Sequence, residues 1–197
     1  ATLTVAPFPV PALDAADRLQ DASAFERAST LAWTQAQVQL RHLGIRRAEA
    51  ALFQRLAGHV LYADPSLRSP APAGGGQPAL WSSGISGDLP IVLLRVADVK
   101  SLALARQLLH AQEYWRIKGL RADVIILNEH PAGYLDDMQA RLTAVLDDGP
   151  WSAWQHRPGG AYLLRADRMG HAERVLIEAV ARVILRGDHG DLRAQLE

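Results

Sequence analysis

Three short polar strings interrupt otherwise apolar stretches of the chain: Arg95 with Asp98, then Asn128-Glu129-His130, then Arg165 with Asp167 and Arg168. Carboxylate, amide and guanidinium groups gathered in this way can hold a hydroxylated ligand through charge-assisted hydrogen bonds. The same residue types also serve a plainer purpose, because strand ends are ordinarily polar and an aspartate such as Asp98 or Asp167 caps a following helix. Asn128, Glu129, Arg165 and Asp167 are therefore candidate ligand contacts, to be weighed against structural duties. A second candidate lies in Gly84-Ile-Ser-Gly-Asp-Leu-Pro, where Ser86 and Asp88 could bind a sugar hydroxyl or a cation, and the glycines permit a close backbone approach. The alternative is a shaped turn packed over Trp81. The string is not a phosphate loop, since it precedes a strand and lacks the lysine and the Ser/Thr of that motif. Trp151 and Trp154 form a third candidate: they fall in a Gly/Pro/His-rich loop, where an exposed aromatic pair offers stacking platforms for sugar rings. Trp115 sits at helical spacing with Leu108 and reads as core.

Other chemistries find no support. The seven histidines are scattered, without an HxxxH or HxH pair, and cysteine is absent, so no zinc site, thiolate nucleophile or disulfide is expected. Ser82, Ser83 and Ser86 do not form a G-x-S-x-G elbow. Asp136-Asp137 and Asp147-Asp148 are adjacent pairs whose side chains diverge on a helix, which suits solvated helix ends rather than an acid/base dyad. No catalytic residue, metal ligand or cofactor is assigned. Acidic and basic residues number 21 each, so there is no field to attract nucleic acid. No apolar run approaches the ~20 residues needed to span a bilayer, and the start of the chain lacks the pattern of a signal peptide.

The elements that must position these groups follow from periodicity. A hydrophobic fraction of 49% in 197 residues suffices for a buried core. Residues 1–22 read as an extended, Pro-rich segment. Phe25, Ala28, Leu31, Ala32, Val38 and Leu40 recur at helical spacing up to Gly44. Ala48, Leu52, Leu56 and Val60 then mark a second helix stopped by Pro65, so residues 23–66 predict a helical hairpin. Residues 67–89 are loop, densest in Gly and Pro from Pro70 to Pro78. From Pro90 onward, buried strands alternate with amphipathic helices three times. The strands are Pro90 to Val96, Ala122 to Asn128 and Gly160 to Ala166; the helices are Ser101 to Lys118, Tyr134 to Leu146 and His171 to Arg186. Such alternation predicts parallel β-α units with right-handed crossovers. The expected fold is α/β, a single domain over 23–197 in which the hairpin packs on a small, mainly parallel three-stranded sheet. In such a sheet, ligands favour the carboxyl ends of the strands.

Several long strings in order resemble the cyclic β-1,2-glucan synthases: Leu31-Ala-Trp-Thr-Gln-Ala-Gln-Val-Gln-Leu-Arg-His-Leu-Gly-Ile, Leu80-Trp-Ser-Ser-Gly-Ile-Ser-Gly-Asp-Leu-Pro-Ile-Val-Leu-Leu-Arg-Val, His110-Ala-Gln-Glu-Tyr-Trp-Arg-Ile-Lys-Gly-Leu, Val124-Ile-Ile-Leu-Asn-Glu and Gly159-Gly-Ala-Tyr-Leu-Leu-Arg-Ala-Asp. The resemblance implies a segment of a large bacterial inner-membrane protein, lying on the cytoplasmic face within a C-terminal region related to cellobiose phosphorylases. It implies a parent that makes β-1,2-linked glucan from UDP-glucose. The implied partners are the parent's neighbouring domains and β-1,2-glucan. None of the family's catalytic residues carries over onto a position here. The expected role is thus a non-catalytic structural or glucan-contacting module. The alternative is a small enzyme or sugar-binding domain with its site at the strand carboxyl ends.

Overall fold

A computed structural model describes residues 22–62, 64–70, 77–131 and 137–197. Expectations for residues 1–21, for the Gly/Pro stretch at 71–76 and for Tyr134 to Asp136 lie outside the described residues. The chain divides into two compact units, Ala1–Gly44 and Ile45–Glu197, each described by itself. In the first, helix α1 (Ala22–His42) carries Arg41 and His42 in its last turn, where cations favour the negative end of the helix dipole. Gly44 follows at φ 65, the left-handed conformation that closes helices and suits glycine.

The second unit begins with helix α2 (Arg47–Tyr62), which buries Ala50, Phe53, Leu56 and Val60 along one stripe. Its first turn is tied by Glu49, which accepts from the backbone N–H of Arg46 at 3.1 Å. Strand β1 (Ile91–Val96), helix α3 (Ser101–Ile117), strand β2 (Asp123–Asn128), helix α4 (Asp137–Asp147), strand β3 (Ala161–Arg165), helix α5 (His171–Val180), strand β4 (Val183–Arg186) and helix α6 (Leu192–Leu196) follow. The sheet is wholly parallel, in the order β3-β2-β1-β4. Two of its registers are Leu93 against Ile125 and Leu93 against Ile184.

Both faces of the sheet are covered, which is why β1 and β2 read as continuous apolar runs. On one face, Ile91, Leu93, Ile125, Leu127 and Tyr162 pack with Leu176 and Ile177 of α5 and with Leu80 and Ile85 of the segment before β1. The alternate residues Val92, Leu94, Val124 and Ile126 are fully buried too, on the face that α3 and α4 cover. Helix α2 packs on α3: the indole N–H of Trp115 donates to the Phe53 carbonyl at 2.8 Å, and the Gln54 amide donates to the Tyr114 hydroxyl at 2.9 Å.

The expected count of three strands is short by one. The spacing that reads as one helix from His171 to Arg186 is a helix to Val180, an extended Ala181 and then β4. Val183 and Ile184 keep helical spacing with Val180 but are β-branched, and they gain more by pairing with Val92 and Leu93 than by extending an end that already has its cap. The backbone N–H of Arg182 donates to the Ile91 carbonyl at 2.8 Å and fixes that register. The extra strand also makes the chain reverse direction across the sheet. It leaves β1 toward β2 and β3, then returns to the far side of β1 as β4.

Candidate functional site

The carboxyl edge of the sheet gathers the residues expected there. Val96 and Asn128 are register partners, as are Asn128 and Arg165. Arg95, Asn128, Glu129, Arg165 and Asp167, however, are each engaged by another side chain. Arg95 lies between two carboxylates: its Nε donates to both oxygens of Glu129 at 3.0 and 3.1 Å, and its Nη1 stands 3.2 Å from Glu178 on α5. The hydrogen bond to Glu129, with the charges of Glu129 and Glu178 behind it, raises the pKa of the Arg95 guanidinium further. Asn128 is buried, donates to Gln139 of α4 at 2.9 Å and accepts from the backbone N–H of His130 at 3.0 Å. Arg165 grips Asp167 in a two-pronged contact at 2.9 and 2.7 Å. That hydrogen bond holds the Asp167 carboxyl below the usual range. Asp98 accepts from both the backbone N–H and the hydroxyl of Ser101, which lowers its pKa and secures the start of α3.

Ser86 and Asp88 lie elsewhere, ahead of β1 at the amino edge. The Ser86 hydroxyl accepts from the Asp88 backbone N–H at 3.3 Å, and its carbonyl accepts from the Trp81 indole at 3.3 Å. This is the local shaping of a turn. Ser82 and Ser83 anchor the same segment to α5 through Glu173.

The two tryptophans of the third candidate separate. Trp151 is not a surface platform: it is 2% exposed, donates to the Val145 carbonyl at 2.9 Å and meets the ring of His110 edge-on at 4.9 Å. Its indole lies on Gly149, where any Cβ would come within 2.5 Å of the ring, so the Gly/Pro loop is the seat of a buried side chain. Trp154 remains 38% exposed, with the Arg116 guanidinium 4.3 Å above one ring face. Replacing Trp154 by alanine is expected to cost about 1–2 kcal/mol, combining a cation–π contact with partial burial. A shift of the urea midpoint measures it, and a loss above about 3 kcal/mol, the cost of a core aromatic, would mean that the ring is part of the core.

At the amino edge, the structure adds a buried carboxyl that the sequence did not single out. Asp123 is fully buried on the face it shares with Ile125. Its Oδ1 accepts from the Gly159 backbone N–H at 2.6 Å, while its Oδ2 has no partner among the described residues. Burial raises its pKa. The Tyr162 hydroxyl, also buried without a partner among the described residues, is pushed up to about 12 by burial and by the charge of Asp123. Among the described residues, no group of three or more His, Asp or Glu side chains could hold a metal ion, and no helix is long and apolar enough to cross a membrane.

Comparison with known proteins found no matching family model. The chain is 35% identical over 194 residues to the cyclic beta-(1,2)-glucan synthase NdvB of Rhizobium meliloti (strain 1021). The match takes in 92% of this chain but spans only 7% of that protein.

Proposed function

We propose that this chain, a relative of one segment of the cyclic β-(1,2)-glucan synthases, serves as a non-catalytic module of such a synthase. It organises, and contributes glucan contacts to, an enzyme that builds β-1,2-linked glucan from UDP-glucose. In keeping with the resemblance in sequence, the module belongs to the parent's phosphorylase-like region at the cytoplasmic face of the inner membrane, and its partners are the neighbouring domains. The observation that carries the non-catalytic reading is the spending of the carboxyl-edge charges on one another. Arg95 is engaged by Glu129 and Glu178, and Arg165 by Asp167. General acid/base work needs a carboxyl poised near the working pH and open to substrate. Asp98 and Asp167 are held down, while Asp123, which is raised, lies inside the core.

The test is made in the full-length synthase. Glu129→Gln and Asp167→Asn should leave glucan synthesis from UDP-glucose intact in protein that is folded by circular dichroism. A fall of about 10²-fold or more, the scale on which acid/base groups act, would instead establish the enzyme reading.

A further inference from the structure

The strand order creates a crevice that takes in only Asp98 of the residues singled out in the sequence. Because β2 lies on one side of β1 and β4 on the other, the connections leaving the carboxyl ends of β1 and β4 run to different places and part from each other. A cleft of about 790 Å³ opens there, between the first three turns of α3, the turn after β4 and the start of α2. This lies within the roughly 300–1,000 Å³ typical of small-molecule sites. The cleft floor is closely packed. Gly187 rests so closely on α3 that a Cβ would stand 1.9 Å from the Ser101 hydroxyl, and its N–H donates to the Arg95 carbonyl at 2.9 Å.

The lining mixes polar and apolar groups, and its four carboxylates outnumber its two cations. Glu49, Asp98, Asp188 and Asp191 line the cleft together with Lys100, Arg106, Gln107 and His110. Asp98 accepts from Ser101, Asp191 caps α6, Glu49 accepts from Arg46 and Arg106 donates to Asp148, which leaves Lys100, Gln107, His110 and, apart from a 3.9 Å approach to His189, Asp188 for a ligand. The carboxylates disfavour a nucleotide diphosphate, and Lys100 and Arg106 disfavour a bare metal ion. Neither Gln107 nor His110 hydrogen-bonds another described residue. An amide and a neutral imidazole each offer a donor and an acceptor at once, and the group that complements both is a hydroxyl. Burial lowers the pKa of His110, favouring the neutral imidazole, and its ring meets Trp151 edge-on.

We propose that this cleft binds a short stretch of neutral, polyhydroxylated oligosaccharide, with Gln107, His110, Lys100 and Asp188 as its hydrogen-bonding groups. That the sugar is β-1,2-linked glucan rests on the function proposed above.

Isotope-labelled chain titrated with β-1,2-linked glucotetraose, and separately with maltotetraose, tests this by amide-shift mapping. Shifts are expected along Lys100 to His110 and Gly187 to Asp191 with the β-1,2-linked sugar only. Gln107→Ala and Asp188→Asn, whose thermal unfolding should match the parent chain, are each expected to weaken binding about five-fold or more, the loss of roughly one hydrogen bond to the ligand. Shifts confined to other residues, or variants that bind unchanged, would overturn the cleft while leaving a glucan-contacting module intact. Equal shifts with maltotetraose would remove the β-1,2 assignment and keep the cleft as a sugar site. The absence of any shift overturns the proposal, and the module reading then stands or falls on the activity of the full-length variants alone.

Discussion

Gly160→Ala is expected to destabilise the Ile45–Glu197 unit by roughly 3 kcal/mol or more, the upper end of what overpacking costs. A Cβ at this position would lie 1.7 Å from the Trp154 carbonyl oxygen and 2.9 Å from that of Arg157, both backbone atoms that cannot swing aside. Moving either strand of this turn disturbs what it anchors. The Gly160 carbonyl accepts from Val124 in the sheet at 3.0 Å and from the buried Gln112 amide at 2.8 Å, while the same amide also reaches the Ala122 carbonyl at 2.9 Å. One methyl group therefore strains the link among α3, β2 and β3. Urea unfolding measures the effect, and a loss below about 1 kcal/mol, within the range of an ordinary substitution, would show that the turn relaxes freely.

Asp123→Asn is expected to alter how stability depends on pH. The folded-state pKa of Asp123 is raised by burial, so its contribution to stability is fully present below the carboxyl's unfolded value and is lost as pH rises through the folded value. Asparagine keeps an Oδ1 for the Gly159 N–H but cannot ionise, so it escapes that loss. The variant should be close to the parent chain near pH 3 and more stable than it at neutral pH, by on the order of 1 kcal/mol. Thermal unfolding between these limits tests the sign. A difference that shrinks as pH rises would mean that the buried carboxylate is stabilised by a partner.

The sequence conveyed the layers better than the contacts. Strands β1 and β2 were legible because strands buried on both faces carry unbroken apolar runs, and Pro90 marked the start of the first. Strand β4 was not, since Val183 and Ile184 continue the helical spacing of Val175, Leu176 and Val180, and only pairing across the sheet decides between the two conformations. Missing β4 also hid the cleft, because the crevice exists only where the chain reverses around β1. The polar residues at the strand ends were located correctly by position alone. What they do was not legible, as Arg95 finds its carboxylates on β2's end and on α5, and Asn128 finds Gln139 on α4. Trp151 shows the opposite failure: a loop composition suggested exposure, whereas Gly149 is what lets the indole enter the core. Asp123 went unnoticed because a single acidic residue at the start of an apolar run is usually a solvated strand end.

The order β3-β2-β1-β4 also sets a timetable for assembly. The central strand meets its first neighbour after one crossover, but its second neighbour comes latest in chain order among the described strands of the sheet, with Val92 waiting for Val183. During synthesis, β1 therefore spends most of the emergence of this unit with one row of amides and carbonyls unpaired. Such non-local closure slows folding and leaves a transient sticky edge. Chains interrupted before Arg186 would carry that edge permanently, so the short terminal strand, which adds little area to the sheet, is the element that ends the vulnerable period.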